Sequence, residues 1–264
     1  MNTRARQRVT LNNLSEPQQL RELNRQLEWV WSQLMGGLTS RSFSEALRED
    51  IARQAADDAA ERLLTGFAEK YTGNARVTIG AGGDFATLGA FAETVDNRLL
   101  TSDVTAEIVS DLSGSVRLSG MTGAGRLEIE GGGHTLTGSL SLNGARVGIS
   151  ALSFAAPVTV SGGDVRFSGV EIDGDGEEAA LDAGDGAHCR LENCGLANAV
   201  SLIRLRGGAS LDGHGLRGGG SRWLDAEHAA IRMSGTRPAG GVQLAACLCA
   251  PADLSALTVD SGVS

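Results

Sequence analysis

Apolar residues follow two different spacings along this chain. Near the N-terminus they recur every three or four residues, the spacing of the a and d positions of a heptad, in the series Leu20, Leu23, Leu27, Val30 and Leu34. Pro17, which suits a first helical turn, precedes this series, and Gly36-Gly37 follows it. The pattern predicts an amphipathic helix that begins near residue 16.

A second helix is predicted after the two glycines. Ser42 and Glu45 have the spacing of a capping box, and the apolar face that follows is formed by Ala52, Ala56, Ala59, Leu63 and Phe67. Two interpretations stay open: a helix pair packed within its own domain, or a short parallel coiled coil between identical chains. We favour the coiled coil, because this segment has little else against which to bury Trp29, Trp31 and the leucines.

After residue 72 the apolar residues alternate in short pieces that recur at a nearly constant interval. One series of pieces is separated by 20, 18, 24, 20 and 20 residues and begins at Leu127, Val147, Val165, Cys189, Ala209 and Ala229. A second series lies between them, at Val158, Ala179, Val200, Trp223 and Val242. A period near 20 with three short strands is typical of a β-solenoid. A β-sandwich also has frequent strands, but it needs no constant period.

Composition agrees with this division and excludes several functions. Of the 37 glycines, only Gly36, Gly37 and Gly66 precede residue 73. The net charge of −9 argues against nucleic acid as a partner. No apolar run reaches the roughly 18 residues of a membrane span, so membrane insertion is not expected. Lys70 is the only lysine, which excludes a lysine-dependent phosphate loop.

The segment before the repeats carries a recognisable motif. Residues 77–88 read Val-Thr-Ile-Gly-Ala-Gly-Gly-Asp-Phe-Ala-Thr-Leu, and residues 89–97 continue at helical spacing. This resembles the start of pectate-lyase-like right-handed parallel β-helices, where such a stretch precedes a short helix that covers the open end of the solenoid. An uncovered first coil would expose strand edges and an apolar lumen. The resemblance implies a mainly β chain, with the first strand and capping helix at 72–103 and a right-handed parallel β-helix at 104–264.

The whole arrangement, a short helical segment followed by a solenoid, resembles the tail fibres and tailspikes of bacteriophages and phage-tail-like particles. The resemblance implies an N-terminal arm at 1–15 and a helical trimerisation and attachment segment at 16–71. It also implies a homotrimer that binds other tail or baseplate proteins through its N-terminal segment and contacts host-surface glycans. We therefore expect a structural component of a virion tail, assembled in the host cytoplasm, with no catalytic residues, metal or cofactor.

Candidate chemistry is concentrated in one acidic segment within the 24-residue interval. Its carboxylates are Glu171, Asp173, Asp175, Glu177, Glu178, Asp182 and Asp185. A solvated turn, a calcium site and a catalytic carboxylate pair are the three alternatives. We favour the solvated turn, in which residues 174–177 project while Ala179 and Leu181 return to the wall. The candidate acidic loop site comprises Asp173, Asp175, Glu177 and Glu178.

The cysteines and histidines lack the spacing of zinc ligands. We expect free, buried thiols at Cys189, Cys194, Cys247 and Cys249. We expect solvated corner positions for His134, His188, His214 and His228. Two functions remain as alternatives to the structural one: a polysaccharide-processing enzyme of the pectate-lyase-like class, and a glycan-binding module without catalysis.

Overall fold

The computed structural model describes residues 70–262, together with residues 25, 28 and 29. The chain divides into two compact units, Met1–Phe67 and Ala68–Ser264. The N-terminal arm at 1–15 and the predicted coiled-coil positions Leu20, Leu23, Leu27, Val30 and Leu34 lie outside the described residues. The trimeric coiled coil therefore stays a prediction.

Residues 70–262 form a mainly β structure, a parallel β-solenoid of about seven turns. The prediction of a parallel solenoid is confirmed. In this part of the chain no helix is long and apolar enough to span a membrane. A 3-10 turn occupies Leu254–Ala256. The other elements are β1 (Arg76–Ile79), α1 (Leu88–Val95), β2 (Val104–Ile108), β3 (Val116–Ser119), β4 (Leu127–Glu130), β5 (Thr135–Leu136), β6 (Leu140–Ser150), β7 (Ser153–Phe154), β8 (Val158–Ser168), β9 (Glu171–Asp173), β10 (Ala179–Gly184), β11 (His188–Glu192), β12 (Gly195–Ala197), β13 (Ser201–Leu205), β14 (Ser210–His214), β15 (Arg217–Glu227), β16 (Ala230–Ser234), β17 (Thr236–Arg237), β18 (Ala239–Ala245), β19 (Leu248–Ala250) and β20 (Thr258–Val259).

The coils stack so that their strands form three parallel sheets, which we call faces A, B and C. Face A contains β1, β2, β4, the last parts of β6 and β8, and then β11, β14, β16 and β19. Face B contains β3, the first parts of β6 and β8, β10, β13, the last part of β15, and β18. Face C contains β5, β7, β9, β12 and the first part of β15. Strands β17 and β20 form a separate parallel pair.

Alternation along each strand explains why the lumen is apolar. In β4, Leu127 and Ile129 are buried while Glu128 and Glu130 face outward. Parallel strands lie about 4.8 Å apart, so inward residues of successive coils meet in continuous stacks. One such stack on face A is formed by Leu127, Val147, Val165, Cys189, Leu211 and Ile231.

The predicted register is wrong in the later coils, although the period is right. Cys189 pairs with Leu211, two residues beyond the predicted Ala209. On face B, Ile203 occupies the position predicted for Val200 and is fully buried, whereas Val200 is 54% exposed. The face A error is a shift of two residues, which leaves the alternation unchanged, whereas the face B error is a shift of three, which reverses it and leaves Val200 exposed. The additional residues lie in the corners between strands, whose lengths vary from coil to coil.

The short helix α1 lies within the segment where a capping helix was predicted. Thr87 begins it, because its hydroxyl accepts a hydrogen bond from the Ala90 N–H at 3.1 Å. The helix packs against β3 and buries Phe91 and Val95 completely. The inward residues of β1, Val77 and Ile79, are buried as well. The N-terminal end of the lumen is therefore covered.

Candidate functional site

The acidic segment forms the corner between β9 and β10. Asp175, Gly176 and Glu177 are exposed, and Ala179 and Leu181 are buried in the wall, as predicted. Gly174 instead is buried. A Cβ atom on Gly174 would lie 2.6 Å from the Ala199 side chain, so the chain passes this point only with glycine.

Several carboxylates of this corner bind neighbouring groups in ways that order the turn. Asp173 accepts hydrogen bonds from the backbone N–H of Asp175 at 2.9 Å and from the Asn198 amide at 2.7 Å. Glu178 and Asp182 both bind the guanidinium of Arg204. These contacts raise the pKa of Arg204, with the hydrogen bond to Asp182 as the largest cause.

The four residues of the candidate acidic loop site are therefore not gathered around one point. Asp173 faces Asn198 on the next coil, and Glu178 faces Arg204. Across the described residues, no group of three or more His, Cys, Asp or Glu side chains is arranged to hold a metal ion. The geometry is that of a hydrogen-bonded corner turn.

A different polar cluster, which the sequence analysis missed, lies on the outer side of face A. Asp164 in β8, His188 in β11 and Asp212 in β14 belong to three successive coils, and we call them the Asp–His–Asp row. His188 Nδ1 lies 3.4 Å from Asp164 Oδ1, and His188 Nε2 lies 3.3 Å from Asp212 Oδ2. Only the imidazolium form can donate to both carboxylates, because a neutral ring carries one N–H.

A buried arginine anchors one end of the row. Within the described residues, Arg126 is the only charged residue classed as buried, at 8% exposure. Its guanidinium binds the Asp164 carboxylate and donates to the Asp164 carbonyl oxygen at 3.2 Å. Burial acts to raise the pKa of Asp164, but the hydrogen bond and charge of Arg126, with the charges of His188 and Arg166, outweigh it. The pKa of Asp164 therefore lies below its usual 3.8.

The other end of the row opens into a cleft of about 440 Å³ on the outer surface. Its lining combines the polar side chains of His188, Asp212 and Arg232 with mostly apolar residues of β14, β16 and β19, among them Leu211, Ile231 and Leu248. Arg232 and Arg190 each place a guanidinium nitrogen 3.8 Å from an Asp212 oxygen, and both side chains are exposed. Carboxylate acceptors beside guanidinium donors can bind the hydroxyl and carboxylate groups of a carbohydrate.

The register error explains only why Asp212 was missed, because the predicted interval of 24 residues between Val165 and Cys189 already set Asp164 beside His188. His188 lies 24 residues after Asp164, and Asp212 lies 24 residues after His188. The predicted register set Asp212 beside Glu192, whereas it pairs with Arg190. In the observed register Asp164 pairs with His188, whereas Asp212 lies two residues beyond Ser210, the partner of His188, and contacts the ring diagonally. The prediction of a solvated corner for His188 is wrong, because this residue begins β11.

The four cysteines are free, but only two are buried. Cys189 and Cys194 lie in the lumen as predicted, and burial raises the pKa of Cys189 to about 12. Cys247 and Cys249 are only half-buried. Cys189 lies in β11, which pairs with a strand on both sides, whereas β19, which contains Cys249, pairs with β16 alone among the described strands.

The fold and these contacts define a parallel β-solenoid protein with a polar row on one outer face. No protein-family model, no curated protein and no solved structure matches the chain. The likeness to phage tail proteins therefore rests on the sequence features described above.

Proposed function

We propose that this chain is a structural component of a phage or phage-like tail, a homotrimeric tail fibre or baseplate-associated shaft. In this proposal the segment 16–71 trimerises and attaches to other tail or baseplate proteins. The solenoid, of the right-handed pectate-lyase-like type, forms the shaft and contacts the host surface. The protein is located in the virion tail after assembly in the host cytoplasm.

The observation that carries this proposal is the set of side-chain contacts that join coils on every face. Arg126 binds Asp164 on face A, Arg204 binds Asp182 on face B, and Arg217 binds Glu171 on face C. The hydroxyls of Thr159 and Ser141 also form a 2.9 Å hydrogen bond between coils. Such contacts add resistance to bending, which a shaft requires and a small binding module does not.

Sedimentation of the full chain tests the trimer. The variant Leu27→Asp would bury a carboxylate in the predicted seam, which costs several kcal/mol for an unpaired ion. We expect this variant to sediment as a monomer, with one third of the mass of the wild-type trimer. Its β-type circular dichroism spectrum should stay unchanged. Leu11→Asp, the same change outside the seam, is the matched control and should leave the mass unaltered. A Leu27→Asp variant with the wild-type mass would refute the trimer proposal.

The Asp–His–Asp row favours a second candidate function, a polysaccharide-processing enzyme of the pectate-lyase-like class or a glycan-binding module without catalysis. Carboxylates on the outer face of a parallel sheet can transfer protons or bind sugar hydroxyls. Reducing-sugar and unsaturated-uronate assays on a panel of capsular and plant polysaccharides separate this function from the shaft. Activity or binding that Asp212→Asn removes and Asp173→Asn leaves intact would support the second candidate. If no polysaccharide of the panel is cleaved or bound, the second candidate function is excluded for those polysaccharides.

A further inference from the structure

The outward positions of face A place an aspartate, a histidine and a serine in one line. Asp164 in β8 pairs with His188 in β11, and His188 pairs with Ser210 in β14. Each of the three is followed by a buried lumen residue, so their side chains point outward. We call this line the serine row. A serine, a histidine and an aspartate are the residue types of a nucleophile, its base and the group that orients the base.

Asp164 holds one nitrogen of the His188 ring. His188 Nδ1 lies 3.4 Å from Asp164 Oδ1, and the second oxygen of the same carboxylate, Oδ2, binds Arg126. Because a neutral imidazole carries one N–H and one lone pair, a hydrogen bond from Nδ1–H to Asp164 leaves the lone pair on Nε2. In this tautomer His188 can accept a proton at Nε2.

Ser210 is the neighbour that can supply that proton. Asp212 Oδ2 lies 3.3 Å from His188 Nε2, but a carboxylate only accepts, so it binds Nε2 once this nitrogen is protonated. The Ser210 hydroxyl makes no hydrogen bond with any described residue, and Ser210 lines the same cleft as His188. Contacts between a nucleophile and its base are often loose without substrate and tighten in the complex. Asp212 then stabilises the imidazolium that forms when the proton is transferred.

The cleft beside Ser210 suits a small ester. Its volume is about 440 Å³, within the range of small-molecule sites. Three exposed apolar residues of its lining, Ala230, Leu248 and Ala250, can contact an acyl chain. Arg232 belongs to the same lining, and its guanidinium carries donors for the carbonyl oxygen, which becomes negative when the ester is attacked.

We propose that Ser210, His188 and Asp164 form a site that hydrolyses short-chain carboxylic esters. Ser210 Oγ attacks the ester carbonyl carbon while its proton passes to His188 Nε2. The bond to the alcohol oxygen then breaks, and the alcohol leaves with the proton from Nε2. Water next attacks the acyl group on Ser210 and gives a proton to Nε2. The bond from Oγ to the acyl carbon breaks, the acid leaves and the proton returns to Ser210.

Asp164 is a positioning residue in this site, because it touches the His188 ring and not the ester. The proposal does not rest on the tail function or on polysaccharide cleavage, since it needs neither a trimer nor a glycosidic bond. A shaft can carry such a site on its outer face. Its failure would leave both candidate functions as they stand.

Hydrolysis of p-nitrophenyl acetate by the full chain tests the proposal. We expect Ser210→Ala and His188→Gln each to lower kcat/KM by at least about a hundredfold. Asp164→Asn should lower kcat by at least about tenfold and leave KM unchanged, because it alters the His188 tautomer and not the cleft. Melting followed by circular dichroism verifies that each variant is folded.

Ser234→Ala is the matched control. Ser234 Oγ lies 2.9 Å from His214 Nδ1 on the same face, but among the described residues no carboxylate forms an ion pair with the His214 ring. We expect this variant to keep the wild-type rate.

A fluorophosphonate, which reacts with activated serines, identifies the nucleophile by mass spectrometry of the labelled peptide. We expect label on Ser210 in the wild type and none in His188→Gln. The proposal is overturned by any one of these results: no label on Ser210 in the folded wild type, no ester hydrolysis above the buffer rate, or a folded Ser210→Ala variant with the wild-type rate.

Discussion

The buried ion pair between Arg126 and Asp164 should make a large contribution to stability. Replacing Arg126 by Gln removes a charge-assisted hydrogen bond, worth about 1.5–3 kcal/mol, and leaves Asp164 without its cation. Loss of one partner from a fully buried pair costs about 3–5 kcal/mol. The Asp164 side chain is 34% exposed, so water replaces part of the lost interaction. We therefore expect Arg126→Gln to lower the free energy of unfolding by about 2–3 kcal/mol.

The pH dependence of this loss identifies its cause. Because the pKa of Asp164 is lowered in the folded state, the pair stabilises the fold fully at pH values above 3.8, the usual pKa of an aspartate in the unfolded chain. The contribution disappears as pH falls through the lower folded pKa, where Asp164 becomes protonated. The difference in stability between wild type and Arg126→Gln should therefore be largest near pH 7 and shrink below about pH 4.

Urea unfolding followed by circular dichroism measures the effect, and a double-mutant cycle with Asp164→Asn isolates the pair. Arg76→Gln is the matched control, because Arg76 contacts Glu107 at 2.9 Å on the same face but is largely exposed. Exposed pairs contribute about 0–1 kcal/mol. The reasoning fails if Arg126→Gln costs no more than Arg76→Gln, or if its cost is the same at pH 3 and pH 7.

Three further predictions follow from individual side chains. The triple change Asp173→Asn, Asp175→Asn and Glu177→Gln should shift the melting temperature by less than about 2 °C, because Asp175 and Glu177 are exposed and an Asn at 173 keeps an oxygen that accepts the hydrogen bond from the Asp175 N–H. A fall in melting temperature on adding a chelator, seen only in wild type, would contradict this. A maleimide should label Cys247 and Cys249 in the folded protein, but it should label Cys189 and Cys194 only after unfolding, since Cys189 and Cys194 are buried. Mass spectrometry of tryptic peptides counts the labels, and rapid labelling of Cys189 in the folded protein would show that the lumen opens. Trp223→Phe should cost under about 1.5 kcal/mol and Trp223→Ala about 3–5 kcal/mol, because the buried indole N–H has no hydrogen-bond partner among the described residues and Phe keeps an aromatic ring in the lumen. Equal losses for the two variants in urea unfolding would contradict this prediction.

Local sequence was enough to predict the architecture of the solenoid. The alternation in Leu127-Glu128-Ile129 determines which side chains enter the lumen, because successive residues of a strand point to opposite faces. The near-constant interval between such pieces requires coils of similar cross-section. Gly83-Asp84-Phe85 before a helical segment was also informative. Asp84 binds the Thr78 N–H at 2.8 Å and orders the turn that leads into α1.

Register was decided only by the tertiary structure. Ala209 and Leu211 both satisfy the alternation, and a shift of two residues exchanges one for the other without exposing an apolar side chain. The choice depends on how many residues the preceding corner needs, which is a property of three-dimensional packing. The acidic corner shows the same limit, because its charges were visible in sequence but Arg204 and Asn198, which bind them, lie on the next coil.

The Asp212 end of the Asp–His–Asp row depends on that register, whereas the predicted interval of 24 residues already set Asp164 beside His188. Asp164, His188 and Asp212 are separated by more than twenty residues in sequence and by one coil in space. Stacking at about 4.8 Å per coil brings their polar groups together, and this distance is fixed by backbone hydrogen bonds between strands. In strands such as β4 the sequence thus determined which residues face outward, although it misplaced Val200. Only the stacking of the coils determined which of those outward residues meet.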